Sequence, residues 1–148
     1  MNPLDQLGDR LLVIFDGHCG LCNGAVRWLL RHDRRDRLRF AASESPTVAG
    51  LLVRNGAGGQ NPAQVPDTIL AVRDPGGAEE RVLVRSDAAL ALLGELPRPW
   101  PAVAAALGWI PRPLRNLGYR IVARCRYRIR GRLESCPLPE TGQREKFL

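Results

Sequence analysis

Lysine is almost missing from this sequence. Of 22 basic residues in 148, Lys146 is the only lysine, and the others are arginines. Long apolar runs are missing too. The longest early one, Leu11 to Phe15, is far too short for a signal-peptide core, and Asp5 and Asp9 stand before it. No stretch approaches the roughly 18 apolar residues of a membrane-spanning helix. The nearest candidate, Trp100 to Ile110, is bounded by Pro99, Pro101 and Pro111. Four cysteines are too few for a disulfide scaffold. These absences point to the reducing cytoplasm, where cysteines read first as redox, metal-binding or buried thiols. No internal repeat or low-complexity tract is present.

What is present is enough for one core. A chain of this length buries a single respectable core, and 45% apolar with 25% charged residues is ordinary for a globular protein. The formal net charge of +7 is not ordinary, and its distribution is informative. Residues 1–111 hold twelve basic and twelve acidic residues, whereas residues 112–148 hold ten basic residues against Glu134, Glu140 and Glu145. The whole excess therefore belongs to the last quarter of the chain, with eight arginines and no acid between Arg112 and Arg132. Such asymmetry marks an appended, functional or solvated segment rather than a uniformly basic fold.

Hydropathy patterning supplies the elements. Leu11 to Phe15 reads as a buried strand, and Asp16-Gly17 ends it. A helix follows from near Cys19 to about His32, with Ala25, Val26, Trp28, Leu29 and Leu30 on a broad apolar face. Leu38 to Ala42 reads as a second strand. Ser45-Pro46 reads as a helix cap and first turn, and that helix ends near Asn55-Gly56. After a Gly/Asn/Pro loop, Thr68–Arg73 and Glu79–Val84 form a hairpin around Asp74-Pro75-Gly76-Gly77. Ser86 then reads as the cap of a helix through Leu96. The order β-α-β-α-β-β-α predicts an α/β fold with a mixed sheet, parallel in the first unit and antiparallel in the hairpin. Residues 1–98 form this unit, and residues 99–148 form a basic, mostly helical extension packed on it, with helices near 101–109 and 114–130.

The chemistry concentrates in Asp16-Gly17-His18-Cys19-Gly20-Leu21-Cys22, at a strand-to-helix junction. A Cys-x-x-Cys pair there is a thioredoxin-like arrangement. The first cysteine meets the unpaired N–H groups and positive dipole end of the helix, which stabilise a thiolate. The second lies one turn on, close enough to close a disulfide. Cys19 would attack and Cys22 would resolve the mixed disulfide. Two other readings stand beside this one: a pair of buried thiols, or half of a zinc site completed by Cys125 and Cys136 or His18. The zinc reading lacks the usual second close pair, so no metal and no bound cofactor is expected. Asn23 after the second cysteine excludes c-type haem attachment, which needs histidine there.

Asp16-x-x-Cys19-x-x-Cys22 after an apolar strand resembles the DCC family of thiol-disulfide oxidoreductases, a thioredoxin-like group. The resemblance covers most of the chain. Ser86-Asp87-Ala88-Ala89 is similar to the family's helix start after the hairpin. Trp100, Ile110-Pro111-Arg112-Pro113-Leu114-Arg115, Tyr119, Ala123-Arg124, Arg126-Tyr127-Arg128, Gly131-Arg132 and Cys136-Pro137-Leu138-Pro139 are similar to its C-terminal signature. Asn116 and Cys125 depart from it, standing where aspartate and asparagine are expected. The resemblance implies a thioredoxin-like fold, protein or small-molecule thiols and disulfides as partners, and Cys19, Cys22 and Asp16 as site residues.

Supporting roles follow from position. Asp16 either relays a proton for Cys22 or shapes the loop; a carboxylate beside Cys19 disfavours the thiolate, which favours loop shaping. His18 either stabilises the thiolate when protonated or is an exposed loop histidine with no role. Val65-Pro66 falls where thioredoxin-like folds often carry a cis-proline, and reads equally well as an ordinary loop proline. Cys136 is either a third redox partner or a small buried hydrophobe. Cys125 falls in a helical apolar stripe with Val122 and Ile129. The arginine-rich segment is compatible with a helix bearing a solvated basic face, with docking on an anionic membrane surface, or, less well, with nucleic acid, for which no motif accompanies the charge.

Overall fold

The computed structural model describes residues 3–15, 20–56, 69–130 and 141–148. After a 3-10 turn at Pro3–Gln6 come β1 (Leu11–Phe15), α1 (Gly20–His32), β2 (Leu38–Ala42), α2 (Pro46–Arg54), β3 (Leu70–Arg73), β4 (Arg81–Leu83), α3 (Arg85–Glu95), α4 (Trp100–Gly108) and α5 (Arg112–Arg130). A second 3-10 segment, Thr141–Lys146, leads to the C-terminus. The strands form one mixed sheet in the order β2-β1-β3-β4. β1 pairs parallel to β2, with Leu11 opposite Leu38, and antiparallel to β3, with Val13 opposite Ala71. β3 and β4 are the expected hairpin. This is a thioredoxin-like α/β arrangement.

Every residue of β1 is buried, because both faces of the sheet are covered. The period of two divides its side chains. Leu11, Val13 and Phe15 pack with Val26 and Leu29 of α1 and with Ala88 and Leu92 of α3. Leu12 and Ile14 face the other way, toward Val48, Leu51 and Leu52 of α2 and toward Leu4 and Leu7. α1 and α3 thus share one face of the sheet, and α2 covers the other.

Of three local expectations, one is met and two are corrected. Ser45 does occupy the cap position of α2, with extended backbone and Pro46 following, but its side chain makes no capping bond. Ser86 is not a cap: Val84 holds that position and α3 starts at Arg85. The Ser86 hydroxyl is used elsewhere, donating to Asn116 Oδ1 on α5. The second hairpin strand is shorter than the sequence predicts, because Glu79 and Glu80 belong to the turn. Glu79 N–H donates to Asp74 Oδ2 at 2.9 Å. Gly76, at φ +82°, lies so close to Asp5 and Leu4 that a side chain there would clash.

Glu80 ties that turn to the end of α2. Its carboxylate accepts from Arg54 Nε at 2.8 Å and Nη2 at 2.6 Å, from Asn55 Nδ2 at 2.6 Å and from Gly76 N–H at 2.6 Å. The Arg54 guanidinium first, then the Gly76 N–H and the Asn55 amide, hold the carboxyl down to about 2 from its ordinary 4.5. A carboxyl held below its unfolded value adds stability above that value, and the contribution disappears as pH falls toward 2. Arg54 is about half exposed, so solvent screens part of the effect. Glu80→Gln is expected to cost about 1–2 kcal/mol at neutral pH. Urea melts should show the variant and the parent converging as the solution is acidified through that window. A gap that persists at the acidic end would contradict the assignment.

The C-terminus returns to the sheet, which the sequence did not announce. Phe147 bridges to Phe40 on the free edge of β2, and Leu148 N–H donates to the Phe40 carbonyl at 2.8 Å. The Phe147 ring stacks on Phe40 at 5.4 Å and meets Phe15 edge-on at 6.2 Å. Lys146 reaches Asp33 Oδ2 at 3.0 Å and Asp36 Oδ1 at 3.2 Å. An open sheet edge is thereby covered rather than left as a pairing template.

Candidate functional site

β1 and β2 run parallel, so their C-terminal ends lie at one edge of the sheet, where open α/β folds place their sites. β1 stops at Phe15 and α1 starts at Gly20, with residues 16–19 between them in the chain. Asp16, His18 and Cys19 lie outside the described residues, as do Pro66 and Cys136. Among the described residues the cis peptide is Arg98–Pro99.

Cys22 is described, and its place is decisive. It is the third residue of α1 and is 5% exposed, within the core cluster that holds Phe15, Val26 and Leu29. The next residue, Asn23, is also buried. The helix begins one residue after Cys19, so its first N–H groups and its positive dipole end fall at the motif. This arrangement places one thiol beneath the surface, within the first turn of a helix whose start favours a thiolate.

One turn farther along α1 the surface opens into an apolar pocket of about 210 Å³. Ala25, Trp28 and Leu29 of α1 form one wall and Leu92 and Leu93 of α3 the other, with Tyr119 of α5 also lining it. Trp28 is fixed from behind: it stacks on His32 at 4.3 Å and meets Trp100 of α4 edge-on at 4.8 Å. The His32 Nδ1 donates to the Trp28 carbonyl at 2.7 Å.

α5 is held against α3 by polar contacts. Besides Ser86–Asn116, Asp87 pairs with Arg112 at 3.2 Å and with Arg115 at 3.6 Å. Arg115 Nε also donates to the Ile110 carbonyl at 3.0 Å. The departure at Asn116 is thus explained, since its amide oxygen offers the Ser86 hydroxyl the acceptor that an aspartate would. The segment expected to be helical through Arg130 is helical. Of the apolar stripe, Val122 is half exposed and Cys125 is half-buried, because the inward face of α5 is the one bearing Arg115, Asn116 and Tyr119. Sequence reasoning missed Asp87 as an anchor for α5 and Tyr119 as part of a pocket. The signal was there for the first: an acid early in one helix and arginines early in another.

Among the described residues no three His, Cys, Asp or Glu side chains converge as a metal site, and no helix is long and apolar enough to cross a membrane. Comparison with known proteins adds independent findings. A family model described as DCC1-like thiol-disulfide oxidoreductase matches residues 13–132. A chloroplastic DCC family protein of Arabidopsis thaliana is 34% identical over 129 residues, covering 87% of this chain and 70% of that protein. An uncharacterized Bacillus subtilis protein, YuxK, is 30% identical over 144 residues, 97% of each chain. No solved structure matches.

Proposed function

This chain belongs to the DCC1-like thiol-disulfide oxidoreductase family, and we propose from that premise that it exchanges a dithiol for a disulfide through Cys19 and Cys22. The observation that carries the reading is the burial of Cys22 in the first turn of α1, directly after the residue pair that follows Cys19. A buried thiol is a poor target for bulk disulfides and a good resolving group.

In the reductive direction the Cys19 thiolate attacks one sulfur of the substrate disulfide. A Cys19–substrate bond forms, the substrate S–S bond breaks, and the departing sulfur leaves as a thiolate that takes up a proton. Cys22 then loses its proton and attacks the Cys19 sulfur, releasing the second substrate thiol and leaving a Cys19–Cys22 disulfide. Two electrons have moved to the substrate, and an external dithiol or two monothiols must restore the pair. Asp16 shapes the loop before Cys19, and His18, when protonated, lowers the thiolate's energy. Pro66 and Cys136 are supporting candidates. The apolar pocket one turn from Cys22 suits a substrate whose disulfide is flanked by apolar groups. The redox unit is residues 1–98, the basic extension is residues 99–148, and the compartment is the cytoplasm.

A glutathione redox titration of the pair, with Cys19 alkylation followed against pH, tests this. The reactive fraction should titrate below about 7.5, the upper range for thiols at helix starts. The potential should lie within reach of the glutathione couple, where about 30 mV is a tenfold change in the equilibrium constant. An unreactive Cys19 with an ordinary thiol profile would overturn the reading.

A further inference from the structure

α5 is an amphipathic helix mounted the wrong way round for a core element. Its inward face carries Arg115, Asn116 and Tyr119, and two of these bond to α3. Its outward face carries Leu114, Leu117 and Ile121, spaced three and four residues apart and 60%, 54% and 56% exposed. Exposed Arg120 and Arg124 flank that row one turn apart. α4 likewise has no buried residue, and the joint between the two helices leaves Trp109 90% exposed. From Leu96 to Leu133 the sequence holds no acid at all. A row of this length with no partner among the described residues marks an interaction surface.

The charges choose the occupant. A second copy of this chain, meeting face to face, would bring the arginine flanks together. Nucleic acid would use the guanidiniums but has no use for an exposed leucine and isoleucine row, since such interfaces are polar. An anionic bilayer surface uses both: apolar side chains enter the headgroup boundary, arginines meet lipid phosphates, and an exposed tryptophan sits at the level where indoles are favoured. We propose that α5, with Trp109 at its start, docks this protein in the plane of an anionic membrane surface. No helix among the described residues is long and apolar enough to cross the bilayer, and the proposed attachment lies in the plane of the surface. The proposal stands apart from the redox reading and survives its failure.

The test is co-sedimentation of the full chain with phosphatidylcholine vesicles, with and without about one third phosphatidylserine, at near-physiological and high salt. Binding is expected to require the anionic lipid and to weaken with salt. Leu117→Glu with Ile121→Glu should reduce it by about tenfold or more, and Arg120→Ala and Arg124→Ala by about fivefold each. Both sets are exposed positions, and circular dichroism with urea melts checks that the fold is kept. Equal binding to neutral vesicles, no binding to anionic ones, or indifference to the Leu117/Ile121 pair would overturn the proposal. So would binding to single-stranded RNA in place of vesicles, or a dimer in sedimentation equilibrium that the Leu117/Ile121 pair dissolves without any vesicle binding.

Discussion

Cys19→Ser is expected to abolish turnover of a model disulfide, by on the order of a thousandfold, because a hydroxyl at that position cannot supply the thiolate nucleophile. Cys22→Ser should behave differently. It keeps the attacking group and loses the resolving one, so a single round stops at the mixed disulfide. Intact-mass analysis after exposure to a small disulfide should show a stoichiometric adduct in Cys22→Ser and none that persists in the parent. The burial of Cys22 sharpens the contrast, since in Cys19→Ser the remaining thiol of the pair is 5% exposed and should alkylate slowly until the protein is unfolded. Unchanged turnover in Cys19→Ser, or a persistent adduct at Cys22 in that variant, would remove Cys19 as nucleophile.

The second large effect is structural. The Asp33 side chain is fully buried at the corner between α1 and β2. It accepts from Arg37 N–H at 2.9 Å, from Leu38 N–H at 3.2 Å and from the Lys146 ammonium at 3.0 Å. Asp33→Ala leaves two backbone donors and a cation without their acceptor, at a cost of about 3 kcal/mol. For a chain of this size that lowers the melting temperature by roughly 6–12 °C. Lys146→Met should cost less, about 1 kcal/mol, because Asp33 keeps both backbone bonds and the aliphatic stem is preserved. Denaturation followed by tryptophan fluorescence measures both. An Asp33→Ala variant within about 0.5 kcal/mol of the parent would show that the corner does not depend on this carboxylate.

Phe147 makes that corner relevant to chemistry as well as stability. Its ring lies against Phe15, the last residue of β1 before the motif, and against Phe40 beside it. Residues 146–148 therefore buttress the strand that leads into the Cys-x-x-Cys motif.

Much of this was legible in the residues, and the physical reason is locality. Leu11–Phe15 and Leu38–Ala42 are continuous apolar stretches of strand formers, and each became a strand with those bounds. α1 and α2 follow a helical period that needs no distant partner to be read. The Cys-x-x-Cys pair at the junction was equally visible, since sequence spacing alone places it at a strand end and a helix start. Ser86 shows where locality misleads: a serine before an apolar run reads as a cap, but a hydrogen-bond partner 30 residues away claimed its hydroxyl.

By itself the sequence determined the β-α-β-α-β-β-α order, the position of the Cys-x-x-Cys motif between a strand and a helix, and the confinement of the charge excess to the last quarter, because these depend on neighbours along the chain. Tertiary structure alone decided that Cys22 is buried, that Lys146 and Phe147 close the edge of β2, and which way α5 faces. A periodic pattern states that a helix has an apolar side. Only packing against α1 and α3 decides whether that side is turned to the core, and here Ser86 and Asp87 hold the polar side inward, leaving Leu114, Leu117 and Ile121 outside.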